Sequence, residues 1–557
     1  MKIGSRQPGK ISALSPRALW WFGLLILAFI IGWIAGNQTW QEIIRDVRSV
    51  PDLVSQSMVP SEGLPTLVID MNFARYDDLL DQREKALQAG VHIPSAQDFV
   101  TATVRVDQAA IPVNMRLMAG PADHLDDEGK WGFEVRTRNN QQLLGMQRLY
   151  LLDPAANNWL NEWAFSRALE RENILVARYR FVHLIFNGDD RGIYALQEGF
   201  ADELLTAQGR PPGIIVEFDA DLLWKSIAHF QGDAQAAYAD PIANLSAADF
   251  QYFEVDPFRD ATIARDPALS VQKDVAIGLL RALQTGELEA SDVFDVEEYG
   301  RFLALVDLWG ATQGTSLVNL RYYYNPISSR LEPIGFNANA LGSDARLSLA
   351  ATYGDPALQA AYVQEASRIS RPEYLDRVRA ELEPEFRRLQ QALSAEYGHL
   401  APPWDELRDR QEQIRRSLDP VQPVFAYLGS PTLAMSGTLR IDVANVVNLP
   451  VEIVGFDVHG ATYLPANREW LHDDTAELLV DHPDALILQA FDAARTPVIH
   501  YVHFDIPLAE IQRLDGELDY IQEMDIQVAT RILGLSTTHL TLAHRGYPDV
   551  FTLGVGD

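Results

Sequence analysis

Lys130, Arg136 and Arg138 fall on one short stretch that reads as a β-strand, and Glu162 falls on the helix that follows it. Basic groups near a carboxylate are side chains that phosphoryl transfer draws on. That chemistry needs cations on the phosphates, a carboxylate to orient the attacking hydroxyl, and carboxylate or amide oxygens to hold Mg²⁺. Glu134 lies on the same strand and brings the opposite sign, which repels phosphate. No Walker loop, G-x-G-x-x-G, G-x-S-x-G or H-E-x-x-H is present, so P-loop enzymes, ordinary kinases, α/β-hydrolases and zincins are set aside. With no cysteine there is no disulfide, thiolate metal site or thiol nucleophile. Asp457-x-His459 and His472-Asp473-Asp474 read as surface. No pair among the 77 acidic side chains stands out as a glycosidase pair.

The elements that must position these residues run from Met115 to Glu198. A strand at Met115–Met118 leads through an acidic loop to the basic and aromatic strand Lys130–Arg138. A further strand, Gln147–Leu152, ends in Asp153-Pro154. An amphipathic helix from about Asn158 to Glu172 follows, with Trp159, Trp163, Leu160 and Ala164 at i, i+4 spacing. Tyr179–Phe186 and Gly192–Gln197 read as a hairpin around Asn187-Gly188. Later, Val296–Thr312 reads as a buried helix whose one acid is Asp307 between Phe302 and Trp309. Arg321–Asn325 and Leu331–Phe336 read as a second hairpin, and the run Tyr322-Tyr323-Tyr324 reads as core packing.

Several short motifs in this order resemble the CotH family, the spore-coat and cell-envelope group of atypical kinases. They are Met115–Leu117 with Asp123-His124-Leu125, Lys130-Trp131-Gly132-Phe133, Gly145-Met146, and Asn161-Glu162-Trp163. Asn187-Gly188 with Gly192-Ile193-Tyr194 and Glu198, then Asn319 to Pro326 and Leu331-Glu332-Pro333-Ile334, complete the set. The resemblance covers roughly residues 61 to 370 and implies ATP and Mg²⁺ as cofactors and Ser/Thr of envelope proteins as acceptor. It implies nucleotide contacts from Lys130, Arg136, Glu162 and Glu198, and metal contacts from Asn319 and Asn337. It also implies an Asp or His a few residues before Asn319 and a metal-binding Asp after the hairpin. Here those places read Thr312-Gln313-Gly314-Thr315-Ser316 and Phe336-Asn337-Ala338-Asn339, so both negative charges are missing. Divalent affinity follows the ligand charge. Asp307, with Asn319, is the candidate catalytic group, and Asp344 is the other nearby acid.

The expected fold class is α+β: a kinase-like two-lobed domain and a C-terminal all-β sandwich, preceded by one transmembrane helix. Residues 1–17 are a basic tail. Ala18–Gly36 carries no charge and suffices for a helix across a bilayer core, and Trp20, Trp21, Trp33 and Trp40 lie near its ends. This predicts a single pass of a bacterial inner membrane with the N-terminus inside and the bulk outside. Residues 37–60 form a stalk, 61–420 the kinase-like domain with a charged helical hairpin at 372–418, and 421–557 the sandwich. The formal charge of −31 opposes nucleic-acid binding. The expected partners are the membrane and an envelope protein or polysaccharide. The functional expectation is a catalytically degenerate scaffold or nucleotide sensor in envelope or exopolysaccharide assembly. The alternatives are an active ATP- and Mg-dependent kinase and a non-enzymatic polysaccharide- or protein-binding protein.

Overall fold

The computed structural model describes residues 63–125, 130–220, 224–225, 228–229, 253–347, 354–428, 438–458, 461–463, 465–467, 486–491, 497–505 and 526–545. All of them belong to the body Gly63–Asp557. In chain order the strands that position the site are β1 (Thr66–Asp70), β2 (Val100–Val106), β3 (Ala109–Leu117), β4 (Phe133–Thr137), β5 (Arg148–Leu152), β6 (Leu175–Val176), β7 (Tyr179–Phe186), β8 (Asp189–Glu198), β9 (Ile214–Phe218), β10 (Val255–Pro257), β11 (Arg321–Asn325) and β12 (Arg330–Gly335). The helices of three turns or more are α1 (Phe73–Ala89), α2 (Leu160–Arg171), α3 (Pro267–Thr285), α4 (Val296–Leu308), α5 (Pro356–Ile369), α6 (Pro372–Tyr397) and α7 (Trp404–Leu418).

Seven strands close into a barrel in the order β1-β2-β3-β4-β5-β8-β7. Closure comes from β1 lying parallel to β7, with Thr66 opposite His183 and Ile69 opposite Phe186. Side chains alternate across each strand. Met115, Leu117, Phe133, Val135, Leu149 and Leu151 therefore fill the barrel. Their neighbours Arg116, Glu134, Arg136, Arg148 and Tyr150 take the other face. The β7–β8 hairpin turns on Asn187-Gly188, both left-handed (φ 51° and 90°), which suits the twist of the flanking strands.

A second sheet runs β10-β9-β11-β12-β6. Tyr322 and Tyr324 of β11 join the main core while Tyr323 joins a smaller one, so both faces of this strand are covered. Behind it, α4 packs on α5. Gly300 makes that crossing possible, because a Cβ there would lie 2.6 Å from the Cβ of Ala361. The charged helical region breaks at Pro402-Pro403 between α6 and α7, where proline cannot donate to a helical ladder.

The architecture corrects the expected fold class. The first half is a closed seven-stranded barrel beside a second sheet, where a kinase-like two-lobed domain was expected. The strand pairing that closes it, β1 with β7, joins segments far apart in the chain, which short-range patterning does not reveal. The C-terminal strands among the described residues are joined in one hydrogen-bonded sheet of nine, because residues 426–428 pair in parallel with 543–545. Among the described residues no helix is long and apolar enough to cross a membrane, and residues 18–36 lie outside them.

Candidate functional site

Between the outer face of barrel strands β3–β5 and the second sheet lies a cleft of about 1070 Å³. Five arginines and four carboxylates line it. In a chain of net charge −31 that concentration of guanidinium is local, and a cleft with low-dielectric walls focuses its field on a ligand.

Sheet register explains the row of charges on the barrel side. Arg116 is opposite Glu134, which is opposite Tyr150 on β5. Arg136 is opposite Arg148. Glu134 accepts from Arg116 Nε at 2.9 Å through one oxygen and from Arg136 Nε at 2.7 Å through the other. Both guanidiniums also lie over the Phe99 ring, at 4.4 and 4.3 Å. One carboxylate thus serves two arginines. The sign reversal expected to repel phosphate instead fixes a pair of cations.

Arg148 is left over. It has no hydrogen bond or ion pair with a side chain among the described residues, and it faces a like charge across the strand pair. Like charges directly opposite are destabilising. Burial, and next the charge of Arg136, push its pKa below the ordinary arginine value. On the opposite wall Arg321 pairs with Glu217 at 2.6 Å, and Arg259 pairs with Asp202. Tyr150 and Phe336 meet across the cleft floor with ring centroids 5.9 Å apart.

Asn319 and Asn337, both expected at the site, come together on this wall. Asn337 Nδ2 donates to Asn319 Oδ1 at 3.0 Å, and Asn319 Nδ2 donates to Gln313 O and Ser316 Oγ, both at 3.1 Å. Asn337 sits in the left-handed region (φ 47°), as do Asn339 (φ 50°) and Leu341 (φ 55°). Such alternation points successive N–H groups at one spot and makes an anion cradle. Its anion is internal. Glu162 of α2 accepts from Ala338 N at 2.9 Å and from Ala340 N at 3.1 Å. Burial raises its pKa to about 7 against the pull of those amides. Glu162 therefore supports the cleft from behind and does not line it.

The remaining expected residues lie elsewhere. Lys130 donates to Ile193 O at 2.6 Å, to Tyr397 Oη at 2.8 Å and to Glu396, so it ties the end of α6 to the barrel. Glu198 forms a two-point ion pair with Arg178, one contact being 2.7 Å from Nε to Oε2. Asp307 is fully buried and accepts from Arg346, Leu347 N and Tyr362 Oη. None of the three lines the cleft, whereas Arg136 does. Lys130→Ala is accordingly expected to cost about 1–3 kcal/mol of stability, from a lost buried charge-assisted bond network, without changing ligand affinity. Urea denaturation alongside a binding titration checks this; weakened binding at unchanged stability would return Lys130 to the site.

Arg116, Arg148, Arg259 and Arg321 were not foreseen from sequence. The available signal was strand alternation: basic residues at every second place beside a buried apolar set. The donor set does not fit Mg²⁺, since Asn319 and Asn337 are neutral amides already bonded to each other. Among the described residues no three His, Asp or Glu side chains are grouped to hold a metal ion. Triphosphate oxygens do suit the free guanidinium of Arg148. No family model matches the chain, and no curated protein matches it either.

Proposed function

We propose that the protein binds a phosphorylated small molecule of the nucleotide class in the arginine-lined cleft and does not transfer its phosphoryl group. On this reading it is a scaffold or nucleotide sensor of the cell envelope, held to the membrane through the apolar run at residues 18–36. The observation that carries the reading is Arg148, a partly buried cation with no ion pair of its own among the described residues: the nearby Glu134 is taken by Arg116 and Arg136, and burial and the charge of Arg136 outweigh its pull. Leaving a buried charge unpaired costs free energy, and an incoming anion relieves that cost. The resemblance to CotH sequences points to the same ligand class, ATP. Transfer is disfavoured because Asp307, the candidate catalytic acid, is consumed by Arg346 and Tyr362.

Equilibrium dialysis of the full-length chain against ATP, pyrophosphate and adenosine tests this. ATP and pyrophosphate are expected to bind and to compete, with affinity falling as salt rises; adenosine is expected to bind far more weakly. Labelled ATP with Mg²⁺ is expected to leave no label on the chain or on a generic protein acceptor. Absence of ATP and pyrophosphate binding, or efficient transfer of label, would overturn the reading.

A further inference from the structure

We propose that Glu162 is the positioning residue of the cleft's amide pair, holding the loop that presents Asn337 through the backbone N–H groups on either side of Asn339. The inference rests on the reading of the cleft as a ligand site for its functional meaning, but its geometry stands independently. The two oxygens of one carboxylate take separate amides, Ala338 N on Oε1 and Ala340 N on Oε2. The bonded amides alternate with three residues at φ near 50°, a conformation that asparagine tolerates and leucine resists. Two further bonds fix the rest of the loop: Asn158 Nδ2 donates to Ala340 O at 2.9 Å, and Leu341 N donates to Trp309 O at 2.7 Å. At the cleft end Asn337 then reaches Asn319. The chain of contacts runs from α2, outside the cleft, to an amide on its wall.

The surroundings make this support sensitive to ionisation. Glu162 has no cationic partner among the described residues. From β7, Tyr179 faces it, a buried phenol whose own pKa is raised by burial, then by Glu162 and Asp153. On the other elements packed on α2, Asp307 of α4 pairs with Arg346 and Glu381 of α6 pairs with Arg171. The loop itself carries no charge between Asn337 and Leu341. Opening the loop lets water reach the carboxylate and returns it to ordinary acidity. The closed loop therefore binds the proton more tightly than the open one, and closure weakens as pH rises from about 4.5 to about 7. The stability that Glu162 contributes is full below that window and lost across it.

Hydrogen exchange at the amides of residues 336–342 in the full-length protein, corrected for intrinsic exchange, reads the loop directly. In the wild type, protection at Ala338 and Ala340 is expected to fall by about tenfold or more between pH 4.5 and pH 7.5. In Glu162→Gln it is expected to be flat with pH, and in Glu162→Ala low throughout. ATP affinity of the Ala variant is expected to fall several-fold, while the Lys130→Ala variant keeps wild-type affinity. A Gln variant with the wild-type slope, or a wild type flat with pH, overturns the positioning role. If the exchange results hold but no variant binds ATP or pyrophosphate at any pH, the nucleotide reading fails and the loop support stands.

Discussion

Arg148→Met is expected to weaken binding of ATP and of pyrophosphate by about ten- to a hundredfold, the equivalent of one lost charge-assisted contact. The same substitution is expected to leave the fold as stable as before or slightly more so. Both halves follow from one circumstance. Arg148 lies directly across from Arg136 on the neighbouring strand, and its pKa is pushed down by burial and by that charge. A base whose folded pKa lies below its unfolded value carries its charge at a cost to folding at neutral pH. Methionine keeps the aliphatic stem's packing and removes the charge. Titration calorimetry with urea denaturation separates the two effects. Loss of affinity together with loss of stability would indicate a structural arginine, whereas unchanged affinity would remove it from the site.

Asp307→Ala is expected to destabilise the fold by about 3–5 kcal/mol, the range for breaking a buried ion pair from one side. It strands three buried or half-buried donors at once: the Arg346 guanidinium, the Tyr362 hydroxyl and Leu347 N–H. The Asp307 carbonyl also takes Arg410 at 2.9 Å, so the residue joins α4 to α5, α7 and the 343–347 segment. Domains of ordinary stability hold roughly 5–15 kcal/mol in total, so the variant is expected to be partly unfolded or recovered in low yield. Asp307→Asn, which keeps the shape and one acceptor, is expected to lose less. A well-folded Ala variant with an unchanged urea midpoint would contradict this assignment.

The sequence carries the local parts of this structure better than the long-range ones. Asn187-Gly188 announces its hairpin by residue type, because both positions need positive φ. The Tyr322-Tyr323-Tyr324 strand and its return at Leu331 follow from alternation and a polar turn. The meeting of Asn319 with Asn337 follows from their places before and after that hairpin. Barrel closure is different, since the β1–β7 pairing depends on contacts between segments that no local pattern links. Charges are harder still. Lys130, Arg136 and Arg148 look alike in sequence, and only register and packing decide their partners. One goes to Glu396, one to Glu134, and one has no ion pair of its own among the described residues. A lone acid in an apolar helix, as at Asp307, does carry a readable signal: an unpaired carboxylate cannot remain buried, so it implies a cation brought from elsewhere.

On the proposed function, Arg148 is held ready for an anion. The structure of the full-length protein with ATP or pyrophosphate bound tests it most directly. The predicted result is phosphate oxygens within hydrogen-bond distance of the Arg148 guanidinium, between the β4–β5 face and the Asn319–Asn337 pair, with Lys130 still on Ile193 and Glu396. Phosphates seated away from Arg148, or Arg148 engaged by a carboxylate of the chain while the ligand binds elsewhere, would contradict it.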